Sequence, residues 1–384
     1  MLRIPIEQAP ALREPAWIDV DLDAIAHNVR AFRSLLTPGC ALVAVVKSNA
    51  YGHGMLRVAR TALQHGATEL AVANVYEGAS LREAGVQAPI LVAGPVAPTE
   101  AGLVVQHALV PSVAGVELAQ ALAAAQRRYL PVHLEIDTGM SRHGVSAQAL
   151  PALVDAIERR GRLSIAGVFT HFAATGVGEV DTLRDQLHRF DAVVAGVRSL
   201  RGVKRHACNT LGTLLLPEAR GDAVRVGGGL YGFDPCLGSG PVALRPALAL
   251  KARLCGLRDV PAGTPVGYGG TFVTSRPTRL GLVPLGYGDG LVRELWNGAQ
   301  VLLRGRRVPV VGVVSMNQTV LDVTDVPDAL LGDEVVLLGA QGSAMVRAEE
   351  RVGVGGSVYE VTTLLRSSLP RRYLGSSGRS DLRS

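Results

Sequence analysis

The segment VAVVKSNAYGHG, residues 43–54, ends an apolar run on a single lysine, Lys47, and follows it at once with Ser, Asn, Tyr, two Gly and a His. A lysine at a strand end is ordinarily a solvated cap. It is also the side chain that attacks carbonyl groups and forms a Schiff base once it is partly desolvated. Other apolar runs close on polar groups as well: Asn74, the turn from Glu135 to Arg142, His171, Asn209 with Thr210, and Arg225 ahead of Gly227 and Gly228. His171 taken alone reads as a hydrogen-bonded neutral ring. The glycine run GGGLYG, residues 227–232, has the pattern of a dinucleotide loop, but Pro235 cuts off the helix such a loop opens and no acidic residue follows about 20 positions on. Its bare backbone N–H groups still suit a phosphate.

These groups need elements to carry them. From residue 41 to about 226, short β-branched runs alternate with Ala- and Leu-rich stretches of helical period, the pattern of repeated βα units around a parallel sheet. Eight candidate strands stand out: ALVAVV before Lys47, LAVAN ending at Asn74, PILVAG near 90, ALVPSV near 110, VHLEID ending at Asp137, LSIAGVFTH ending at His171, KRHACN ending at Asn209 and AVRVG ending at Gly227. Helical patterns such as GVELAQALAAAQRR and EVDTLRDQLHRFDAVVAGVRSL fit between them. Eight such units close a (β/α)8 barrel of the TIM type, with an open doubly wound sheet as the alternative. Barrel closure makes the first and eighth strands neighbours, so Lys47 and Arg225 come side by side and call for a shared anion. The loops after strands seven and eight, carrying Asn209, Thr210, Gly227 and Gly228, are where barrels often hold phosphate. A phosphate beside a lysine fits pyridoxal 5'-phosphate, held as a Schiff base on Lys47.

Ahead of the barrel, AWIDVDLDAIAHNVRAF reads as a strand, an Asp start signal and a helix, all assigned to the first domain, residues 1–245. After Arg245-Pro246 the helical period fades. Segments such as LALKARLCGL, RLGLVPL, VLLRGRRVPVVGVV and EVVLLGA alternate with Gly and Pro turns, so residues 246–384 read as a mostly-β domain.

Composition narrows the class. In 384 residues, 48% hydrophobic and 19% charged side chains supply a large core and exclude a disordered chain. No apolar stretch reaches the roughly 20 residues of a spanning helix. The opening MLRIPIEQAPALREPAW does not read as a secretion signal, and the tail GSSGRSDLRS reads as a solvated terminus, which together place the protein in the cytosol. The net charge of +6 is spread along the chain without interleaved aromatics, unlike a nucleic-acid surface. Cys40, Cys208, Cys236 and Cys255 show neither CxxC pairs nor His-rich spacing, so no metal site is expected.

Taken in order, AWIDVDLDAIAHNVR, AVVKSNAYGHG, IDTGMSRHGV, THFA, VRVGGGLYG, LGYGDG, VSMNQT and YEVTTLLRSSLPRR make the chain resemble the alanine racemase family of pyridoxal-phosphate enzymes over most of its length. The resemblance implies that Lys47 holds the cofactor and is one of two opposed acid/base groups, the other being Tyr287 from the partner subunit of a homodimer. It implies that Arg225 faces the pyridine nitrogen, that His171 links Arg225 to Tyr287, and that Tyr51, Thr210, Gly227 and Gly228 bind the phosphate. Arg142 matches an arginine near the cofactor's phenolic oxygen and the substrate carboxylate, and Met316 a partner-subunit residue of the pocket. The implied product is D-alanine for peptidoglycan.

Three departures accompany the resemblance. Glu135 stands where many members have a carbamylated lysine, so a fixed carboxylate is expected to orient Arg142. Ser367 is aligned with a gating tyrosine, and Val313 with Asn317 replace an entrance arginine and an aspartate, which points to a racemase of broader specificity as one alternative. A same-fold decarboxylase of basic amino acids is another. It is disfavoured because no Cys lies beyond Cys255 and because Arg225, not a carboxylate, closes the last strand. A pyridoxal-phosphate-binding protein without turnover is the third, and the β domain with Tyr287 and Met316 argues against it.

Overall fold

A computed structural model of the chain describes residues 14–125, 129–293, 297–353 and 356–375. The opening segment up to residue 13, the QRR that ends the expected helical stretch GVELAQALAAAQRR and the tail from 376 lie outside the described residues. The chain divides into two units, Leu22–Ala247 and the residues from Leu248 on together with the first strand, β1 (Ala16–Asp21).

The first unit holds eight parallel strands: β2 (Ala41–Val45), β3 (Glu69–Val72), β4 (Ile90–Val92), β5 (Val110–Val113), β6 (Leu130–Glu135), β7 (Leu163–Phe169), β8 (Lys204–His206) and β9 (Ala223–Val226). They lie in the order β8-β7-β6-β5-β4-β3-β2-β9. Backbone bonds from Asp222 N to Arg205 O at 3.0 Å and from Arg225 N to Cys208 O at 2.9 Å join β8 to β9 and complete the ring. The fold is thus the expected TIM-like barrel, and the open-sheet alternative falls. Val43, Ala71, Leu91 and Ala223 pack as one buried cluster across four of its strands.

Helix Leu22–Ser34 shows why the intervening segments fold as they do. Leu22, Ile25, Ala26, Val29 and Phe32 are buried on one stripe, Asp23 lies in the first turn and Arg33 in the last, so packing and the backbone dipole favour the same element. Helix Val180–Ala195 buries Leu183, Gln186, Phe190 and Val194 with the same period.

In the second unit the strands are β10 (Leu248–Arg253), β11 (Gly256–Val260), β12 (Pro265–Val266), β13 (Phe272–Val273), β14 (Thr278–Val283), β15 (Gln300–Leu303), β16 (Arg306–Pro309), β17 (Thr319–Asp322), β18 (Glu334–Gln341), β19 (Ala344–Val346) and β20 (Arg371–Leu374). The main sheet runs β16-β15-β18-β10-β1-β20, with β19 against β18, and β11-β14-β17 form a second sheet.

One domain assignment is corrected here. The leading strand, read from the sequence as part of the barrel domain, belongs to the β unit: Ile18 pairs with Leu250 of β10 and with Arg371 of β20. Ala16, Trp17, Ile18 and Val20 are all buried, and Trp17 is covered by the guanidinium groups of Arg253 and Arg372 at 5.1 and 4.3 Å. Alternation says nothing about which sheet supplies the hydrogen bonds, and those partners lie more than 200 residues away in sequence. Among the described residues no helix is long and apolar enough to cross a membrane.

Candidate active site

The lysine segment departs from regular structure as soon as β2 ends. In the turn Lys47–Tyr51, Ser48, Asn49, Ala50 and Tyr51 all have positive φ, between 52° and 54°, and Gly52 closes the turn at 84°. A left-handed run of non-glycine residues costs about 1–2 kcal/mol per residue, on the order of 4–8 kcal/mol for four, and must be held from outside. Holding bonds run from Ala50 N to Val46 O at 2.8 Å, from Met55 N to Asn49 Oδ1 at 2.8 Å and from Ser48 N to Glu77 Oε1 at 2.6 Å. Burial pushes the Lys47 ammonium below its ordinary pKa, the positive charge of Arg142 adds to this, and Glu77 opposes it. A larger neutral fraction makes the amine a better nucleophile and base.

Arg225, on β9, is 4% exposed. Its Nη1 donates to His206 Nδ1 at 2.8 Å and His206 O at 2.9 Å, and Nη2 donates to Thr170 O at 2.8 Å and Ala207 O at 3.3 Å. A guanidinium only donates, so His206 Nδ1 accepts, its Nε2 carries the hydrogen, and that N–H donates to His133 Nδ1 at 2.9 Å. Burial, reinforced by Arg225 and other nearby groups, drives His206 far below the usual imidazole range, and burial with Lys204 and Arg225 lowers His133 to about 4. Both rings are therefore neutral at pH 7, and Phe169 stacks on His206 while lying 4.9 Å from the Arg225 guanidinium. Burial lowers Arg225 to about 10, which leaves it charged.

His171 was expected to bond to Arg225. The imidazole that does so is His206, because β8 sets it level with Arg225 across the closing edge of the barrel. Burial, with the fields of Arg225, Arg142 and Lys47 adding to it, lowers His171 to about 3, so its ring is neutral at pH 7.

The phosphate candidates fall together at the ends of β8 and β9. Thr210 Oγ1 accepts N–H bonds from Gly227 and Gly229, each at 3.2 Å, which leaves the hydroxyl hydrogen available for an acceptor. At Gly227 an added Cβ would sit 2.5 Å from Tyr51 Oη, so this backbone and the Tyr51 hydroxyl share one small space. Gly228 opens the turn Gly228–Tyr231, whose buried Tyr231 donates to Val45 O at 2.8 Å and packs 4.7 Å from the Tyr51 ring. Asn209 has a different job from the one expected: its Oδ1 accepts from Gly212 N at 3.0 Å and its Nδ2 donates to Phe172 O, so the side chain caps helix Thr210–Leu215 and sets Thr210 in place.

Glu135, at the end of β6, is buried and accepts from Ser112 Oγ at 3.3 Å, with His143 Nε2 3.9 Å away. Burial raises its pKa, against the pull of His143 and Arg225 and, least of all, Arg142. Arg142 lies at the surface.

In the β unit, the loop with Tyr287 and the loop with Met316 are zipped together by backbone bonds from Tyr287 N to Ser315 O at 3.0 Å and from Gly288 N to Met316 O at 2.8 Å. Gly286 allows this, since a Cβ there would meet Ser315 O at 2.1 Å. Buried Asp289 accepts from Gly286 N at 3.0 Å and pairs with Arg366 at 3.1 Å, and Asn317 donates to it at 3.4 Å. The result is an exposed pair, Tyr287 at 42% and Met316 at 57%, on a fixed loop base. Val313 is half-buried beside this base, and Ser367 is exposed, its carbonyl taken by Arg371 Nη1 at 3.0 Å.

Sequence reading passed over His133, His206 and Glu77. Signals for them existed. His133 and His206 interrupt strand segments where apolar residues are the rule, and Asn74-x-x-Glu77 is a capping-box spacing.

Comparison with known proteins bears on the family and the fold. The chain matches the family model for the alanine racemase N-terminal domain over residues 20–235 and the one for the alanine racemase C-terminal domain over residues 247–373. It is 41% identical over 353 residues to the alanine racemase of Syntrophobacter fumaroxidans, covering 90% of this chain and 94% of that protein. Among solved structures, alanine racemase from Bacillus anthracis with bound L-Ala-P superposes with a TM-score of 0.88 at 33% identity, covering 96% and 97% of the two chains. A histidine racemase from Leuconostoc mesenteroides superposes with a TM-score of 0.86 at 27% identity, covering 95% of this chain and 99% of its own. Two family models in sequence, nearly full coverage and a shared fold leave one assignment, and the chain belongs to the alanine racemase family.

Proposed function

We propose that this protein is a pyridoxal 5'-phosphate-dependent racemase that interconverts L-alanine and D-alanine by exchanging the α-proton between two groups on opposite faces of the substrate. The observation that carries the reading is the cradle at the barrel's strand ends, where Thr210 Oγ1 accepts from Gly227 N and Gly229 N and a Cβ at Gly227 would meet Tyr51 Oη at 2.5 Å, on the turn that begins at Lys47. The residues fit the cofactor: an amine of lowered pKa, a hydroxyl with a hydrogen to give, a backbone too close to Tyr51 for any Cβ, and a buried guanidinium bonded to neutral acceptors. When bound, the cofactor supplies an electron sink that makes the substrate α-C–H acidic.

The chain's own groups do the rest. Arg225 would hold the ring nitrogen of the bound cofactor and, as a guanidinium, would keep its own proton, which would limit electron withdrawal and favour prompt return of a proton over side reactions. The neutral His133–His206 pair holds that guanidinium without adding charge. Lys47 moves a proton at Cα on one face and Tyr287 of the partner subunit on the other, which makes a homodimer part of the site. Arg142 binds the substrate carboxylate, and Glu135 supplies a carboxyl where a carbamylated lysine is common. The enzyme acts in the cytosol and provides D-alanine for peptidoglycan.

The test is incubation of the purified protein and pyridoxal phosphate with single-enantiomer amino acids, followed by chiral analysis. Alanine that stays optically pure would overturn the assignment. Tyr287→Phe should still load the cofactor and lose racemisation, and near-normal rates in both directions would sink the two-group scheme. A broader substrate range is the second reading, favoured by Val313, Asn317 and Ser367. In the same panel it requires serine or larger side chains to racemise at rates comparable with alanine.

A further inference from the structure

We propose that Glu77 is a positioning residue for Lys47, its carboxylate clamping the left-handed turn that begins at the lysine to the end of the neighbouring strand. Glu77 lies in the first turn of helix Val75–Glu83, whose N-cap Asn74 accepts from Glu77 N at 3.0 Å. In an ordinary capping box the glutamate reaches back only to its own helix start. Here one oxygen does so, Oε2 accepting from Ala73 N at 2.8 Å, while Oε1 leaves the helix and accepts from Ser48 N at 2.6 Å.

The position of that second bond gives it its importance. β2 and β3 are paired through Val45 and Ala71, and the last rung between them is Val46 N to Ala71 O at 2.8 Å. Beyond it the parallel ladder stops, and the next residue is Lys47. Ser48, the first residue of the left-handed run, would otherwise present an N–H with no rung to meet it, and the chain would be free to relax to a right-handed or extended form that swings the lysine elsewhere. Glu77 extends the junction by one further bond at the place where Lys47 leaves the sheet. Its negative charge also lies close enough to raise the Lys47 pKa against the effects of burial and Arg142, so the same carboxylate tunes the amine that it aims. Charge-assisted bonds from a carboxylate to backbone N–H groups are the strong kind, suited to holding a strained turn.

The inference rests on the reading of Lys47 as the cofactor lysine, so the test combines a measurement that needs no cofactor with one that does. Amide hydrogen exchange on the cofactor-free protein should show Ser48–Tyr51 exchanging ~10- to ~100-fold faster in Glu77→Gln than in wild type, the range of one charge-assisted bond. Pyridoxal phosphate, titrated by its visible absorbance, should bind about 10-fold more weakly. Leu81→Val, a buried change in the same helix, is the control for simple loosening of that helix. If Glu77→Gln exchanges within twofold of wild type at Ser48, or if Leu81→Val matched in Tm speeds the turn equally, the proposal is overturned. Glu77→Asp, one methylene shorter, should also speed exchange there, and full protection in that variant would count against the clamp. Failure of the wild-type protein to bind pyridoxal phosphate would overturn the functional reading, while the exchange comparison would still decide whether Glu77 holds the turn.

Discussion

Replacing Gly227 by Ala puts a methyl group where the Tyr51 hydroxyl now sits. The added Cβ would lie 2.5 Å from Tyr51 Oη, 3.2 Å from Cζ and 3.5 Å from Val45 Cβ, so the phenol is the atom in the way. It falls about 1 Å inside normal contact, and Tyr51 must back away by that amount. Retreat is opposed by the Tyr231 ring packed 4.7 Å from it and by the left-handed backbone at Tyr51 itself. Overpacking of this size costs about 1–3 kcal/mol, which corresponds to ~5- to ~150-fold in an equilibrium constant. If Tyr51, Gly227 and Thr210 form the phosphate cradle, most of that loss appears in cofactor affinity. The assay is equilibrium titration of pyridoxal phosphate into the variant, with Tm recorded alongside. Tyr51→Phe removes the clashing oxygen, so the double variant should be less impaired than the two single losses summed. Strictly additive losses, or a Gly227→Ala protein that binds within twofold of wild type, would refute the shared-space account.

Two other outcomes follow from the same geometry. His133 is held at about 4, below the usual value near 6.5, so the unfolded chain takes up a proton that the folded chain refuses; stability present above pH 6.5 is lost as pH falls toward 4, by about 1.4 kcal/mol per pH unit, and the buried His206, also held well below its usual value, acts in the same direction. Thermal unfolding of wild type and His133→Asn between pH 7 and 5 measures this, and an unchanged slope in the variant would remove His133 from the explanation. Asp289→Ala should strip the Gly286 N–H of its acceptor, lower the stability of the β unit by about 2 kcal/mol and slow racemisation through the loosened Tyr287 loop; full activity with unchanged Tm would show that the loop needs no such tether.

Much of the molecule could be read without coordinates. The eight-strand rhythm, the lysine at the end of the first barrel strand, Thr210 and the glycine run at the last two, and the change of texture after Pro246 are all local patterns, because strand alternation, helical period and turn residues report backbone geometry and burial over a few positions. Partners distant in the chain were not readable in this way. β1 has an unambiguous strand pattern, yet only its pairing with β10 and β20 shows that it belongs to the β unit. Asn209 has the chemistry of a ligand but is committed to a helix cap.

The chemical inventory is written in the order of residues: an amine, two guanidinium groups, an anion cradle, a phenol on a tight GYGDG loop, and the fold class able to gather most of them at one barrel mouth. Folding is what selects the neutral acceptors that hold Arg225, makes His206 and not His171 the ring bonded to it, and brings Glu77 to the residue after Lys47. The reason is physical. A residue type limits which bonds a side chain can make, whereas which bond it does make depends on atoms that barrel closure and parallel strand pairing bring within about 3 Å from 19 to 73 positions away.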